Sequence, residues 1–226
     1  NNDWRLTAGV AVTHFSNGNT HYPNAGVNTV GGRVSLIRTF GTHSYRTSVE
    51  TRRKARAEIE RYFSYDVVLY GATRRKGIIW PDDRVLVPGA FGVAGININP
   101  MYNLNACFRA GISLDAQYDE SANIKDHVAG DDRSAENIRF YRPPFREQFG
   151  VGLSLRAELV MPIFSINLGV GHNVFYQGED LKGFYQIAAL KTSITRRLFL
   201  HVGYQLRNFK DPNNLMLGLG YRFNGR

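Results

Sequence analysis

From Tyr102 to Tyr118 apolar and polar residues trade places with a period of two. Tyr102, Leu104, Ala106, Phe108, Ala110, Ile112, Leu114, Ala116 and Tyr118 hold one parity; Asn103, Asn105, Cys107, Arg109, Gly111, Ser113, Asp115 and Gln117 hold the other. That period marks a strand with one apolar face, and a run of 17 residues far exceeds the roughly 5–6 of an ordinary strand. The pattern returns in Phe149, Val151, Leu153, Leu155, Ala157 and Leu159, in Leu198, Leu200, Val202, Tyr204 and Leu206, and in Leu215, Leu217, Leu219, Tyr221 and Phe223. A sandwich of two sheets also alternates, but in shorter strands. Here the apolar parity is uncharged with aromatics towards its ends, and Arg109, Asp115, Arg156, Glu158 and Arg222 all fall on the other parity. The expected fold is an all-β, antiparallel transmembrane β-barrel, apolar side to the lipid and charges paired in the lumen.

Alternating segments predict about ten strands in one barrel domain spanning 1–226: 4–16, 27–38, 62–72, 84–98, 101–118, 148–160, 163–176, 183–194, 197–208 and 214–223. Pro88 and nearby glycines blur the parity of the fourth and suggest a bulge or kink there. Short turns at Met161-Pro162 and Thr195-Arg196-Arg197 alternate with long loops such as 119–147, as in outer-membrane barrels, whose short turns are periplasmic and long loops external. The first strand then runs outward and the loop 17–26 faces the exterior. Residues 41–61 break the rule, being long on the periplasmic side. Their basic core, Arg52 to Glu58, reads as a solvated turn or short helix; clustered charge alone is a weak signal for nucleic acid, and none is expected as a partner.

Composition narrows the class further. The chain of 226 residues carries a net charge of +9, with 43% hydrophobic and 21% charged residues, which excludes a disordered tail or a collagen-like rod. No run approaches the roughly 18 apolar residues of a membrane helix. One cysteine, Cys107, offers neither an internal disulfide nor a zinc cluster, and no cofactor is assigned. The absence of an initiator Met at Asn1 reads as a mature or truncated chain.

The candidate chemistry sits at the first hairpin. Parity puts Trp4, Leu6, Ala8, Val10, Val12, His14 and Ser16 on one face, the expected lipid face, and residues two apart on a strand point the same way about 6.6–7 Å apart. Asn28 opens the next strand on the face that continues as Val30, Val34 and Leu36. If the loop 17–26 closes a hairpin, Asn28 comes near His14. A serine hydroxyl needs a base to become a nucleophile, and the base needs a third group to set its tautomer. Ser16, His14 and Asn28 could fill those roles, with Asn17 and the amide of Gly18 as oxyanion donors. Polar residues at a strand end also simply meet lipid headgroups, and the pattern alone leaves both readings open.

His14-Phe15-Ser16-Asn17 followed by Pro23-Asn24-Ala25-Gly26 resembles the active-site region of the lipid A 3-O-deacylase (PagL-type, acyloxyacyl hydrolase-like) family. The resemblance implies an integral outer-membrane barrel of bacteria that hydrolyses the 3-O-linked acyl ester of lipid A, without a metal, from a site on its lipid-facing exterior. It implies His14 as general base, Ser16 as nucleophile and Asn17 as oxyanion donor. At the position of the family's acidic residue this sequence has Asn28, an amide that can orient an imidazole but stabilises its cation less. The close match covers about residues 4–40. The family's motif usually lies near the end of a small barrel, whereas some 190 residues follow it here, which suggests a larger relative with further strands upstream.

Arg74-Arg75-Lys76, in an expected exterior loop, could pair with lipid A phosphates or simply be a solvated loop tip. Two functions follow: a lipid A esterase, or a non-catalytic structural, pore-forming or partner barrel of an outer-membrane assembly. Asn28 favours the second; His14, Ser16 and Asn17 favour the first, to which the sequence reading commits.

Overall fold

The computed structural model of the protein describes residues 4–15, 27–38, 61–80, 83–129, 138–209 and 211–224. The chain separates into two compact units, one carrying the first two strands and the other running from Arg61 onward.

In the first unit β1 (Trp4–Phe15) and β2 (Val27–Arg38) form a two-stranded antiparallel sheet. Its register runs without a slip from Trp4↔Arg38 to Phe15↔Val27. The Arg38 guanidinium lies 5.2 Å from the centre of the Trp4 ring, a cation–π contact at the open end. Neither strand has a second neighbour among the described residues.

In the second unit eight long strands close into a barrel: β3 (Tyr62–Arg74), β6 (Phe91–Asn105), β7 (Phe108–Asp119), β10 (Phe149–Val160), β11 (Phe164–Phe175), β12 (Phe184–Ser193), β13 (Leu198–Arg207) and β14 (Asp211–Phe223). The ends meet where β14 pairs with β3, from Leu217↔Gly71 to Phe223↔Tyr65. Closure leaves no barrel strand with an unpaired edge, the condition for a sheet in hydrocarbon. The short turns 106–107, 161–163 and 194–197 lie at one end. The long connections lie at the other and carry the hairpin of β4 (Gly77–Trp80) and β5 (Asp83–Leu86), a 3-10 turn (Ile124–Asp126), the pair β8 (Val128–Ala129) and β9 (Arg139–Phe140), and the one-turn helix α1 (Phe145–Gln148).

Among the described residues ten long strands are present; eight of them close the barrel and the first two form a sheet of their own, where the alternation pattern suggests about ten in one wall. Eight strands already give a lumen just wide enough for side chains to fill. The sequence reading also misplaced one turn. The run from Tyr102 to Tyr118 is two strands, because the two-residue turn Ala106–Cys107 preserves parity and hides itself in the alternation. The Asn105 side chain accepts the Cys107 amide hydrogen at 2.9 Å and fixes that turn. Pro100 sits within β6 opposite Tyr65, on the outward parity of Ile98 and Tyr102.

The barrel is inverted relative to a water-soluble core. Leu155 is 70% exposed on the outside, whereas Asp66 and Glu158 inside are 0% exposed. The lumen is spanned by bonded charges. Lys191 donates to Asp66 at 3.0 Å and to Glu158 at 2.6 Å, and Arg222 clasps Asp66 through two bonds of 2.7 and 2.8 Å. Further along, Asp115 accepts from Arg156 (2.7 Å), Ser154 (2.7 Å), Tyr185 (2.6 Å), Asn97 (2.7 Å) and Ser113. Gly152 and Gly171 flank the Tyr185 ring so closely that a methyl group at either would collide with it; their lack of a Cβ lets the phenol reach Asp115. The charged lumen expected from Arg109, Asp115, Arg156, Glu158 and Arg222 is therefore present, filled rather than open.

The long loops pack as a cap. Ile78, Val87 and Ile124 form a small apolar core with Val85, Phe91, Val128 and Phe140 packed against it. Asp180 ties the cap together through Lys76, Arg207 at 3.6 Å and the Asn123 amide at 3.0 Å.

Candidate functional site

The β1–β2 register makes His14 and Asn28 direct partners across the sheet, next to the pairs Thr13↔Thr29 and Phe15↔Val27. Direct partners on an antiparallel pair share a face with Cβ atoms about 4.5–5.5 Å apart. By parity that face continues through Val12 and Val10 on β1 and Val30 on β2, all three strongly exposed. The hairpin thus brings together two of the residues singled out for chemistry at the end nearest the connecting loop. Ser16, Asn17 and Gly18 lie outside the described residues.

The basic triplet has a different environment from the one expected of a loop tip. Arg74 closes β3, is buried, and donates to Asp119 at 2.9 Å and to the Asn213 side-chain oxygen at 2.7 Å. Lys76 is bonded to Asp180 and donates to the Ser121 carbonyl at 3.2 Å. Arg75 is partly exposed and has no ion pair among the described residues. Closing the loops against the barrel mouth turns two of these three cations inward. Asp180 answers that charge: burial alone would raise its carboxyl pKa, but Lys76 and the Asn123 amide outweigh it and hold the group below the usual carboxylate range.

The mouth of the lumen also holds a small cleft of about 30 Å³, lined among others by Tyr70, Gln117, Tyr185, Gln205 and Asn213. No serine or histidine lines it, and its deepest carboxylate, Asp115, is committed to five donors. His127 pairs with Glu147 at 2.7 Å in the cap. His172 meets Phe184 edge-to-face on the outer wall, with ring centroids 5.0 Å apart. His201 is buried in the lumen near Lys191. Among the described residues the barrel thus offers no histidine hydrogen-bonded to a serine.

A closed antiparallel barrel with hydrocarbon side chains outside, ion pairs inside and long loops at one end is an integral β-barrel of the outer membrane. The chain belongs to the family described as acyloxyacyl hydrolase, C-terminal domain, whose model matches residues 63–225, and residues 1–36 match the model of lipid A 3-O-deacylase (PagL). It is thus a member of a hydrolase family of the bacterial outer membrane. The two matches divide the chain where the structure does, one over the hairpin and the other over the barrel. Ail, the attachment invasion locus protein of Yersinia pestis, is similar in two solved structures. Its crystal structure with the heparin analogue sucrose octasulfate shows 16% identity over 71% of this chain and 98% of that one, with a TM-score of 0.39. Its backbone structure in a phospholipid bilayer nanodisc gives 19%, 71%, 99% and 0.38. No curated protein matches the chain.

Proposed function

We propose that the chain removes the 3-O-linked acyl chain of lipid A by nucleophilic catalysis at the β1–β2 hairpin. The observation that carries this reading is the cross-strand pairing of His14 with Asn28, two residues before Ser16 in sequence, within the segment that matches the deacylase family. His14 takes the Ser16 hydroxyl proton as the oxygen attacks the ester carbonyl, while Asn17 and the Gly18 amide receive the oxyanion. Collapse returns the proton to the departing sugar hydroxyl and leaves an acyl-serine. Water deprotonated by His14 then releases a 3-hydroxy fatty acid. Asn28 orients the imidazole without lending it a negative charge. No metal or cofactor takes part. Lipid A reaches the hairpin laterally, its acyl chain along the face of Val10 and Val12.

The purified full chain should release 3-hydroxy fatty acid from lipid A in detergent, and Ser16→Ala should abolish the release. Equal release by the two proteins would overturn the assignment of the nucleophile, and release by neither would favour the non-catalytic barrel.

A further inference from the structure

We propose that the barrel carries its own docking site for the phosphorylated glycolipid of the outer leaflet, built on the ring stack of Tyr118, Phe145 and Phe149 with Arg142 and Arg146 above it. The proposal rests on the lipid A reading for the identity of the lipid, and extends it from the hairpin to a second place on the molecule.

Phe149 and Tyr118 are register partners at the long-loop ends of β10 and β7, on the outward parity of Leu153 and Leu114. The Phe145 ring, presented by α1, lies between them, its centroid 5.6 Å from Tyr118 and 5.7 Å from Phe149, and nearly parallel to both at 19° and 14°. Phe145 remains 64% exposed. A loop aromatic held that far out of its own core marks a contact surface.

Below the stack, Val151, Leu153 and Leu155 continue the same outward column. From Phe149 to Leu155 it runs about 20 Å at the rise of a strand, room for an acyl chain. Above the stack, the Arg142 guanidinium is fixed rather than free. Its Nη2 donates to the Tyr118 hydroxyl at 2.7 Å and lies 3.1 Å from Glu120, yet its side chain is 67% exposed. Arg146 follows Phe145 directly, is exposed, and has no carboxylate partner among the described residues. Glu147 is engaged with His127 at 2.7 Å, and Glu120 shares its two oxygens between Arg142 and the Gly92 amide hydrogen at 3.0 Å. Arg146 is thus the rim cation that no described carboxylate balances, and Arg142, though paired, keeps most of its side chain in solvent.

An ordinary interfacial aromatic belt consists of separate rings at headgroup depth. Here three rings are stacked, the Arg142 guanidinium is bonded to the Tyr118 hydroxyl, and the exposed Arg146 follows Phe145 in the chain; each arginine has the planar donor fork that fits a phosphate. Hydrocarbon below, aromatic rings at the boundary and guanidinium above match the order of groups in a phosphorylated glycolipid, so the occupant is that lipid rather than a free anion.

Native mass spectrometry of the detergent-solubilised full chain with bisphosphorylated lipid A tests the site. Arg142→Gln/Arg146→Gln should bind roughly tenfold or more weakly, as expected for losing charge-assisted bonds. The unaltered chain should bind phosphate-stripped lipid A as weakly. Phe145→Ala should also weaken retention, and excess inorganic phosphate should fail to displace the lipid. Unchanged affinity in the double variant, equal binding of the stripped lipid, or displacement by inorganic phosphate would each overturn the proposal. The stripped-lipid arm uses the unaltered protein, so it decides even if the double variant folds poorly. Hydrolysis lost in Ser16→Ala bears on the esterase reading alone, and binding lost in the arginine variant bears on docking alone.

Discussion

The hairpin and the barrel are built from strands of similar length and the same alternation, yet they solve opposite problems. Every barrel strand has two neighbours, and Asp66, Asp115 and Glu158 meet Arg156, Lys191 and Arg222 in the lumen. The hairpin strands contain Arg5, Arg33 and Arg38 and no Asp or Glu, and among the described residues each has one neighbour. A two-stranded sheet alone is marginal at best. The barrel unit holds Asp66, Asp115, Glu158, Arg156, Lys191 and Arg222 in mutual bonds, which suits stability and commits these groups to one another. The unit whose two strands pair only with each other among the described residues is the one whose residues carry the chemistry in our proposal.

The sharpest way to break this contrast is to remove the nucleophile. Ser16→Ala should lower lipid A hydrolysis by at least about 10³-fold, the scale of losing a covalent catalyst, measured as released 3-hydroxy fatty acid. Its barrel should show the same heat-dependent gel shift as the unaltered chain. Asp115→Leu reverses the pattern: it strands Arg156 and four other donors in the lumen and should cost the barrel about 3–5 kcal/mol, read by urea unfolding in detergent. Asn28→Glu should raise hydrolysis roughly tenfold if a carboxylate stabilises the imidazolium better than an amide does; no gain would separate Asn28 from the reaction. The smallest effect belongs to the cap. Because Asp180 has a lowered pKa when folded, its contribution is present above the unfolded carboxylate value of about 4 and fades as pH falls through the folded value. Amide exchange in the cap should therefore hold steady near neutrality and accelerate only in acid below about pH 4; acceleration near neutral pH would contradict the pairing.

Much of this fold was legible because parity survives in sequence. Leu153, Leu155, Arg156 and Glu158 declare which side faces lipid before any coordinates exist, and β1 and β2 fall within a residue of their expected bounds. Parity also concealed things. A two-residue turn such as Ala106–Cys107 does not disturb it, so β6 and β7 were misdivided. Nor does alternation state how many strands close a ring; that depends on whether Gly218 and Gly220 on β14 meet Tyr70 and Val68 on β3, a contact some 150 residues apart in the chain. Arg74 and Lys76 looked like free loop cations because their partners, Asp119 and Asp180, lie 45 and 104 residues away in the chain. The ring stack was hidden for a related reason: Phe145 lies in the segment read as the plain loop 119–147, and only the fold stacks it on Tyr118 and Phe149. For the candidate site, the sequence supplied the residue types and their parity; the register added the pairing of His14 with Asn28.

The claim beneath all of this is that the hairpin face bearing Val10, Val12 and His14 looks onto lipid. A spin label at Val12→Cys in the full chain, reconstituted in bilayers, measures it directly. The label should relax in the presence of dissolved oxygen, which concentrates in hydrocarbon, and should ignore a water-soluble nickel chelate. Relaxation by the chelate and not by oxygen would place that face in water and remove the route by which lipid A reaches Ser16.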